Sequence, residues 1–402
     1  MKKIILLGGS HGQLPAILEA KKRGYYTILC DYLEDNPGKM FADLFLQEST
    51  TDKERILQIA IREQADFIFS YASDPAALTA SYVSEKLNLP GNCFASTELL
   101  VKKDLFREFL FINGFNTPYF EVIEQSVAGS EYHTKLQYPV VVKPVDSSDT
   151  KGVTLVKKPG LLIEALDEAF QHSKSKKAII EEFIDAEIAN FHGDGFVLDG
   201  ELVFCALGDL LYTSVSHPMK PSCTQYPSKK SEEIIQYARH EINRLIKLTG
   251  FNTGAVNIEA RYNSQGTFYI MEIGPRSGGS YTPEAVFHAT GVNMLKQTFD
   301  WFEGKKPDLN SKWERTSVCF TLHSNQDGRF DRVEFDTALA EHIKELHLYI
   351  NTGDILKRYS ETGSAVGACV FVFNNDETAK KVLSCNFYDR VLDGIKCIQE
   401  YS

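Results

Sequence analysis

Short apolar runs and segments of helical period alternate along residues 1 to about 100. Ile4 to Leu7, Tyr26 to Cys30 and Phe67 to Tyr71 read as strands, and Pro15 to Arg23 and Lys53 to Glu63 as helices. Such alternation predicts a parallel sheet with crossover helices, an α/β unit. The turn after the first strand, Gly8-Gly9-Ser10-His11-Gly12, and Asp31 at the end of the second admit a dinucleotide site. Their spacing is not G-x-G-x-x-G, however, and any tight strand-to-helix turn needs glycine. A substrate pocket is the better expectation, because open α/β sheets bind ligands beyond the carboxyl ends of their strands.

Further along, the pattern changes. A second region runs from about Ser96 to Lys306. In a third, from about Pro307, strands such as Ser317 to Leu322 and Cys369 to Phe373 mix with helices, one capped at Asn375 or Asp376 ahead of Glu377 to Leu383. The clearest signal is Ala255 to Ile273, where two alternating runs flank Asn263-Ser264-Gln265-Gly266 and predict a β-hairpin. With Ser264-Gln265 as a two-residue loop, Asn257 opposes Glu272, Glu259 opposes Ile270 and Arg261 opposes Phe268 on one face. Val256, Ile258 and Ala260, opposite Ile273, Met271 and Tyr269, make the other face apolar throughout. Glu259 and Glu272 are then diagonal neighbours, roughly 7 to 8 Å apart at the backbone.

Two carboxylates so placed share a cation or force one of them to protonate. A site of few carboxylates, completed by water and phosphate oxygens, suits Mg2+. The alternative is a solvated sheet face whose glutamates answer nearby lysines. Gly274-Pro275-Arg276-Ser277-Gly278-Gly279 follows at once. Its glycines let amides approach an anion, and Arg276 can hold a carboxylate or phosphate bidentately.

Tyr138 to Pro144 places Lys143 at the end of a continuous apolar strand, where a half-buried cation needs an anionic partner. The polar stretch from Val145 to Val153 offers Ser147, Ser148, Lys151 and Gly152 to phosphates as a loop that can fold over them, or it simply connects a hairpin. Ala178 to Ile184 is another strand. Backbone groups at Glu181 and Ile184 are candidates for reading an adenine edge, with a nearby carboxylate for ribose hydroxyls.

The 402 residues carry 43 Lys and Arg against 54 Asp and Glu, a formal net charge of -11. That balance argues against nucleic acid or a membrane as partner. Hydrophobic residues at 43% support folded domains, and the length predicts two or three of them. The 8 cysteines are scattered without a C-x-x-C pair, so buried thiols are expected rather than zinc, iron–sulfur or redox chemistry. The apolar run after Met1-Lys2-Lys3 stops at Gly8, short of a signal peptide, and no segment is long enough to span a membrane. A cytoplasmic protein is expected.

Taken in order, these residues resemble the ATP-grasp superfamily over most of the chain. The resemblance implies an α/β and α+β architecture. A Rossmann-like pre-ATP-grasp domain would cover 1–100 and an ATP-grasp domain 101–306, with a mobile subdomain at about 116–185. A small C-terminal α+β domain would cover 307–402. Lys103, in Lys102-Lys103-Asp104-Leu105-Phe106-Arg107, is similar to the first nucleotide lysine. Gly114-Phe115-Asn116-Thr117-Pro118 is similar to the family's helix exit. Lys143 matches the second phosphate lysine, Asp146 to Gly152 the flexible loop, and Glu181-Glu182-Phe183-Ile184 the adenine hinge. Glu187 stands slightly closer to that hinge than the usual ribose acid. Glu259 and Glu272 match the metal carboxylates, and Arg276 the arginine that anchors the reacting acid. Gly274 departs from the pattern, which often has Asn there.

The resemblance implies an ATP-dependent carboxylate–amine ligase, with Lys143 and Arg276 as its catalytic residues. Its cofactors would be ATP and Mg2+, with Mn2+ as substitute ion. Its partners would be a small-molecule carboxylate and an amine, and the protein would be a homodimer. The alternatives are a carboxylase-like enzyme that activates bicarbonate and a non-catalytic nucleotide-binding protein. No Ser, Cys or His nucleophile is required, and His11, His192 and His217 read as turn or substrate-contact residues.

Overall fold

The computed structural model describes residues 1–126, 132–148, 150–212, 221–358, 364–384 and 386–398. Asp149 of the polar loop, His217 and Cys385 lie outside them.

Lys3–Leu7, Tyr26–Asp31, Leu44–Gln47 and Phe67–Ser70 form a four-stranded parallel sheet with Lys3–Leu7 at its centre. Ile4 and Leu6 pack with Ile17 and Ala20 of helix Leu14–Lys22, while Ile5 and Leu7 pack with Ile56 and Ile59 of helix Lys53–Glu63. Both faces are thus covered, as a parallel sheet requires. Leu44–Gln47 was not foreseen, because four residues on an edge carry too little periodicity to read.

Asp31 closes the first turn. Its Oδ2 accepts the Gly9 amide at 2.7 Å and its Oδ1 that of Leu33 at 2.9 Å. A Cβ on Gly9 would lie 2.0 Å from Asn36 Oδ1, and one on Gly8, whose φ is +102°, 2.8 Å from Gln13. Gly8 and Gly9 thus make room for the chain's own side chains, which accounts for them without a dinucleotide.

A four-stranded antiparallel sheet follows, in the order Phe120–Glu124, Lys177–Glu182, Val140–Pro144, Thr154–Val156. Helix Leu162–His172 covers it through Leu162, Leu166 and Phe170, packed on Val140, Val142 and Ile180.

The largest sheet has eight strands in the order Phe268–Gly274, Gly254–Tyr262, Ala189–Leu198, Glu201–Tyr212, Pro221–Tyr226, Thr316–Leu322, Gly367–Phe373, Ile343–Leu348. Helix Glu232–Thr249 lays Ile235, Ile242 and Leu245 against Val256 and Ile258 on one face. Helix Thr282–Thr290 packs Ala285, Val286 and Ala289 against Phe196 and Ala255 on the other. The chain beyond residue 307 adds strands to this sheet through the pairing of Thr316–Leu322 with Pro221–Tyr226. Of the two candidate caps for helix Asp376–Leu383, Asn375 holds the position, its Oδ1 accepting the Thr378 amide at 2.8 Å. Among the described residues no helix is long and apolar enough to cross a membrane.

The hairpin forms, but in another register. Asn263 pairs with Thr267 across Ser264-Gln265-Gly266, with Gly266 at φ +76° and Asn263 Oδ1 accepting the amides of Gln265 and Thr267. The three-residue loop with a left-handed glycine replaces the expected two-residue loop. A bulge between Glu259 and Ala260 shifts the pairing once more. Glu259 therefore lies directly opposite Glu272, not diagonal to it, and Asn257 opposes Gly274. The core-facing residues of the second strand are Phe268, Ile270 and Ile273; Met271 and Tyr269, expected in that layer, are not in the core.

Candidate active site

Glu259 and Glu272 stand side by side on adjacent strands because the bulge brings them into register. Burial pushes the Glu259 carboxyl above its ordinary range, and the neighbouring Glu272 adds to this. Arg261, Arg276 and Lys143 act on Glu259 in the opposite sense, so the two candidate catalytic cations lie within electrostatic range of the pair. Among the described residues no group of three or more His, Cys, Asp or Glu could hold a metal ion. Two carboxylates side by side suit an ion that takes its remaining oxygens from phosphate and water.

Lys143 leaves the four-stranded sheet with its Nζ 2.7 Å from Glu181 Oε2. Arg107, 1% exposed, donates to the same carboxylate from Nε at 2.8 Å. Burial raises the Glu181 carboxyl, but Arg107 and Lys143 outweigh it and hold it at about 2. Burial likewise lowers the Lys143 ammonium, together with Arg107 and Lys103. Lys103, at the start of helix Lys103–Ile112, donates from Nζ to the Ser147 carbonyl at 2.7 Å. The lysine predicted to need an anion thus has one, and Arg107, one helical turn after Lys103, completes the set. Nothing in the sequence distinguished Arg107 from any other helical arginine.

The polar loop is tied down at its start. Asp146 accepts from Ser173 Oγ at 2.8 Å and from the amides of Ser175 at 2.9 Å and Lys174 at 3.2 Å. Ser148, Lys151 and Gly152 follow, half-buried, with Gly152 at φ +69°. At the hinge strand, the Glu181 side chain points into the ion pairs just described, and the Phe183 amide donates to the Pro139 carbonyl at 3.4 Å. The Ile184 carbonyl accepts Arg261 Nη1 at 2.7 Å. Glu182 Oε2 accepts the Tyr119 amide at 3.3 Å. Glu187 is exposed, and its amide donates to Asp185 Oδ1 at 3.2 Å. Asp185 also accepts from the Ser264 amide and hydroxyl at 2.7 and 3.0 Å, joining the hinge to the hairpin turn.

On the far side, Arg276 forms an ion pair with Asp74, which begins helix Asp74–Leu87 of the first unit. Behind it, Asp194 accepts from Gly278 N at 3.0 Å and Asn257 Nδ2 at 2.8 Å, and burial raises its carboxyl to about 6. Asn257 Nδ2 also meets His192 Nε2 at 3.1 Å. The same Nδ2 donates to the Gly193 carbonyl at 3.0 Å, and His192 Nδ1 lies 3.0 Å from Thr224 Oγ1. Burial, with Arg276 adding, lowers this imidazole to about 4, so it is neutral near neutral pH and opposes Glu259 across the sheet. His192 is thus a neutral hydrogen-bonding group. His11 lies apart, stacked on Tyr349 at 5.1 Å. Asp74, Asp194 and Asn257 were missed because their partners lie far off in sequence.

Residues 136–284 match the family model of the ATP-grasp domain. A formate-dependent phosphoribosylglycinamide formyltransferase of Prochlorococcus marinus (strain NATL2A) is 26% identical over 310 residues, 75% of each chain. Among solved structures, an L-amino acid ligase from Bacillus licheniformis superposes with a TM-score of 0.81 at 22% identity, covering 100% of this chain and 99% of that one. A phosphoribosylglycinamide synthetase from Anaerococcus prevotii superposes with a TM-score of 0.76 at 21% identity, covering 99% of this chain and 100% of that one. At these identities the superpositions speak for the fold.

Proposed function

We propose that this chain, which belongs to the ATP-grasp superfamily, is an ATP-dependent ligase that joins a small-molecule carboxylate to an amine. The observation that carries the reading is the direct opposition of Glu259 and Glu272 with Lys143 and Arg276 in electrostatic range. In this reading a carboxylate oxygen attacks the γ-phosphorus of ATP, the bond to the bridging oxygen breaks, and ADP leaves. The amine nitrogen then attacks the acyl carbon of the acyl phosphate; the C–N bond forms, the C–O bond to phosphate breaks, and a proton is lost from nitrogen. Phosphoryl transfer asks the protein for positioning and charge neutralisation rather than a covalent nucleophile.

Lys103, Lys143, Ser147, Ser148, Lys151 and Gly152 hold the phosphates. Glu182, Phe183 and Ile184 line the adenine, with the buried Glu181 keeping Lys143 in place, and Glu187 is the candidate for the ribose. Glu259 and Glu272 hold Mg2+, or Mn2+ in its stead, which when bound neutralises the phosphate charge. Arg276 anchors the reacting acid through the N–H bonds left free, because its Nε and Nη2 fork, expected to hold the acid bidentately, is closed on Asp74. The division at residues 100 and 306, with about 116–185 moving as a unit, belongs to the same reading. The four-stranded sheet carries Lys143 and the polar loop, the eight-stranded sheet carries the carboxylates, and closure between them excludes water from the activated acid.

The test is ADP formation from ATP and Mg2+ across a panel of carboxylates and amines. Turnover that needs both an acid and an amine supports the ligase. Turnover stimulated by bicarbonate alone would replace it with the carboxylase reading, and nucleotide binding without turnover would leave a non-catalytic protein.

A further inference from the structure

Outside the groups assigned to the nucleotide, a cavity of about 230 Å3 opens between helices Leu14–Lys22 and Thr282–Thr290. Pro15, Leu18, Phe287 and Leu295 give it apolar walls, and Tyr71 and Glu284 also line it. It lies where the first unit meets the helix that follows the Arg276 loop. Tyr71 is three residues from Asp74, the partner of Arg276.

The Glu284 carboxylate accepts from its own backbone amide in the first turn of the helix and from a phenol, and no cation pairs with it among the described residues. Tyr71 Oη lies 3.5 Å from its Oε1, and Tyr281, Tyr349, Asp194 and Glu345 are within electrostatic range. The other carboxylates around it are already answered. Glu345 meets His288 at 2.6 Å and His347 at 3.0 Å, and Glu19 on the cavity wall meets Arg23 at 2.7 Å. Asp194 takes the Gly278 amide and the Asn257 side chain. Lys22, exposed, also lines the cavity, and no ion pair joins it to Glu284 among the described residues. A carboxylate with little access to water, beside phenol rings and apolar walls, is the environment that recognises an organic cation.

Resting on the ligase reading, we propose that this cavity is the acceptor subsite, in which Glu284 and Tyr71 receive the ammonium group of an unphosphorylated amine whose adjoining carbon skeleton is apolar, and the Glu284 carboxylate takes the proton that the nitrogen must lose before it attacks. A phosphate or a further carboxylate beside the Glu284 carboxylate would have no cation to answer it at the Tyr71 end of the cavity and would be disfavoured there. Burial raises the Glu284 carboxyl to about 8, so at neutral pH it is mostly protonated when no cation is present. A bound ammonium favours the carboxylate, and binding therefore expels a proton.

The test uses n-propylammonium chloride as probe, titrated calorimetrically into the full chain at neutral pH in two buffers of different ionisation enthalpy. The expected result is binding coupled to proton release, with no binding of n-propyl phosphate. Glu284→Gln should weaken binding by about tenfold or more and abolish the proton release. Leu18→Lys, at an exposed position on the wall, should weaken binding while circular dichroism stays unchanged, which guards against a Glu284 variant that fails to fold. Equal affinity and equal proton release in wild type and Glu284→Gln would overturn the subsite, as would no binding to the folded wild type. The two readings fail separately. Cation binding without ADP formation under any acid and amine pair would overturn the ligase and spare the cation site, whereas amine-dependent ADP formation indifferent to Glu284→Gln would overturn the subsite and spare the ligase.

Discussion

Arg276 grips Asp74 through two parallel bonds, Nε to Oδ1 at 2.9 Å and Nη2 to Oδ2 at 2.7 Å, across 202 positions of sequence. The pair fastens the helix Asp74–Leu87 of the first unit to the loop that follows the second carboxylate strand. It also accounts for Gly274: a Cβ there would lie 2.8 Å from Asp74 Oδ1 and 3.1 Å from Arg276 Cζ. The volume that an Asn side chain would take is occupied by this ion pair.

Asp74 is therefore a positioning residue for Arg276. Asp74→Asn leaves a largely buried guanidinium without its counter-charge and should cost about 3 kcal/mol of stability, read by urea unfolding. In the ligase reading the KM for the acid should rise while ADP affinity holds; an unchanged KM would detach Arg276 from the acid.

Gly274→Ala should destabilise in the wild-type background and be better tolerated beside Asp74→Ala, because the clash is with the Asp74 carboxylate. A double-mutant cycle measures this, with an expected coupling of about 1 kcal/mol. Strict additivity would show that backbone shifts, not the side chain, absorb the added methyl group.

Glu272→Gln removes the like charge that helps hold the Glu259 carboxyl above its ordinary range. The ligand-free variant should melt at or above the wild-type temperature, because a repulsion has gone. Its stabilisation by Mg2+ with ADP should disappear, together with Mg2+-dependent ADP formation. Retained stabilisation by the metal–nucleotide pair would contradict the metal assignment.

Glu181 titrates at about 2 in the folded chain against an ordinary 4.5. A depressed carboxyl contributes stability that is complete above about 4.5 and is lost as pH falls toward 2, an effect of about 3 kcal/mol. Glu181→Gln should be less stable than wild type at neutral pH, with the difference narrowing across that acid window. Parallel acid-unfolding curves for the two proteins would show that Arg107 and Lys143 do not set the titration.

Much of the site was legible before any folding was considered. Position alone picks out Lys143 at a strand end, Glu259 and Glu272 on alternating strands and Arg276 in a glycine-rich turn as candidates, whereas Lys103, at a helix start, is singled out only by the family resemblance. The hairpin register was not legible. The left-handed Gly266 and the bulge at Glu259 each shift the pairing, and alternation alone cannot count an inserted residue. Arg107, Asp74, Asp194 and Asn257 were equally hidden, since each acts through a partner brought close by another element.

The sequence by itself determined the parallel α/β unit at the start, the antiparallel hairpin of the two carboxylates, and the residue types able to manage phosphate and metal charge. Periodicity and turn chemistry are local properties, and they survive in a one-dimensional string. Only the tertiary structure decided that the two carboxylates face each other and that Glu181 serves Arg107 and Lys143 together. It also decided that Asp74 claims Arg276 and that strands beyond residue 307 extend the central sheet. Those outcomes depend on the distance between side chains far apart in the chain, which packing sets and spacing along the sequence does not.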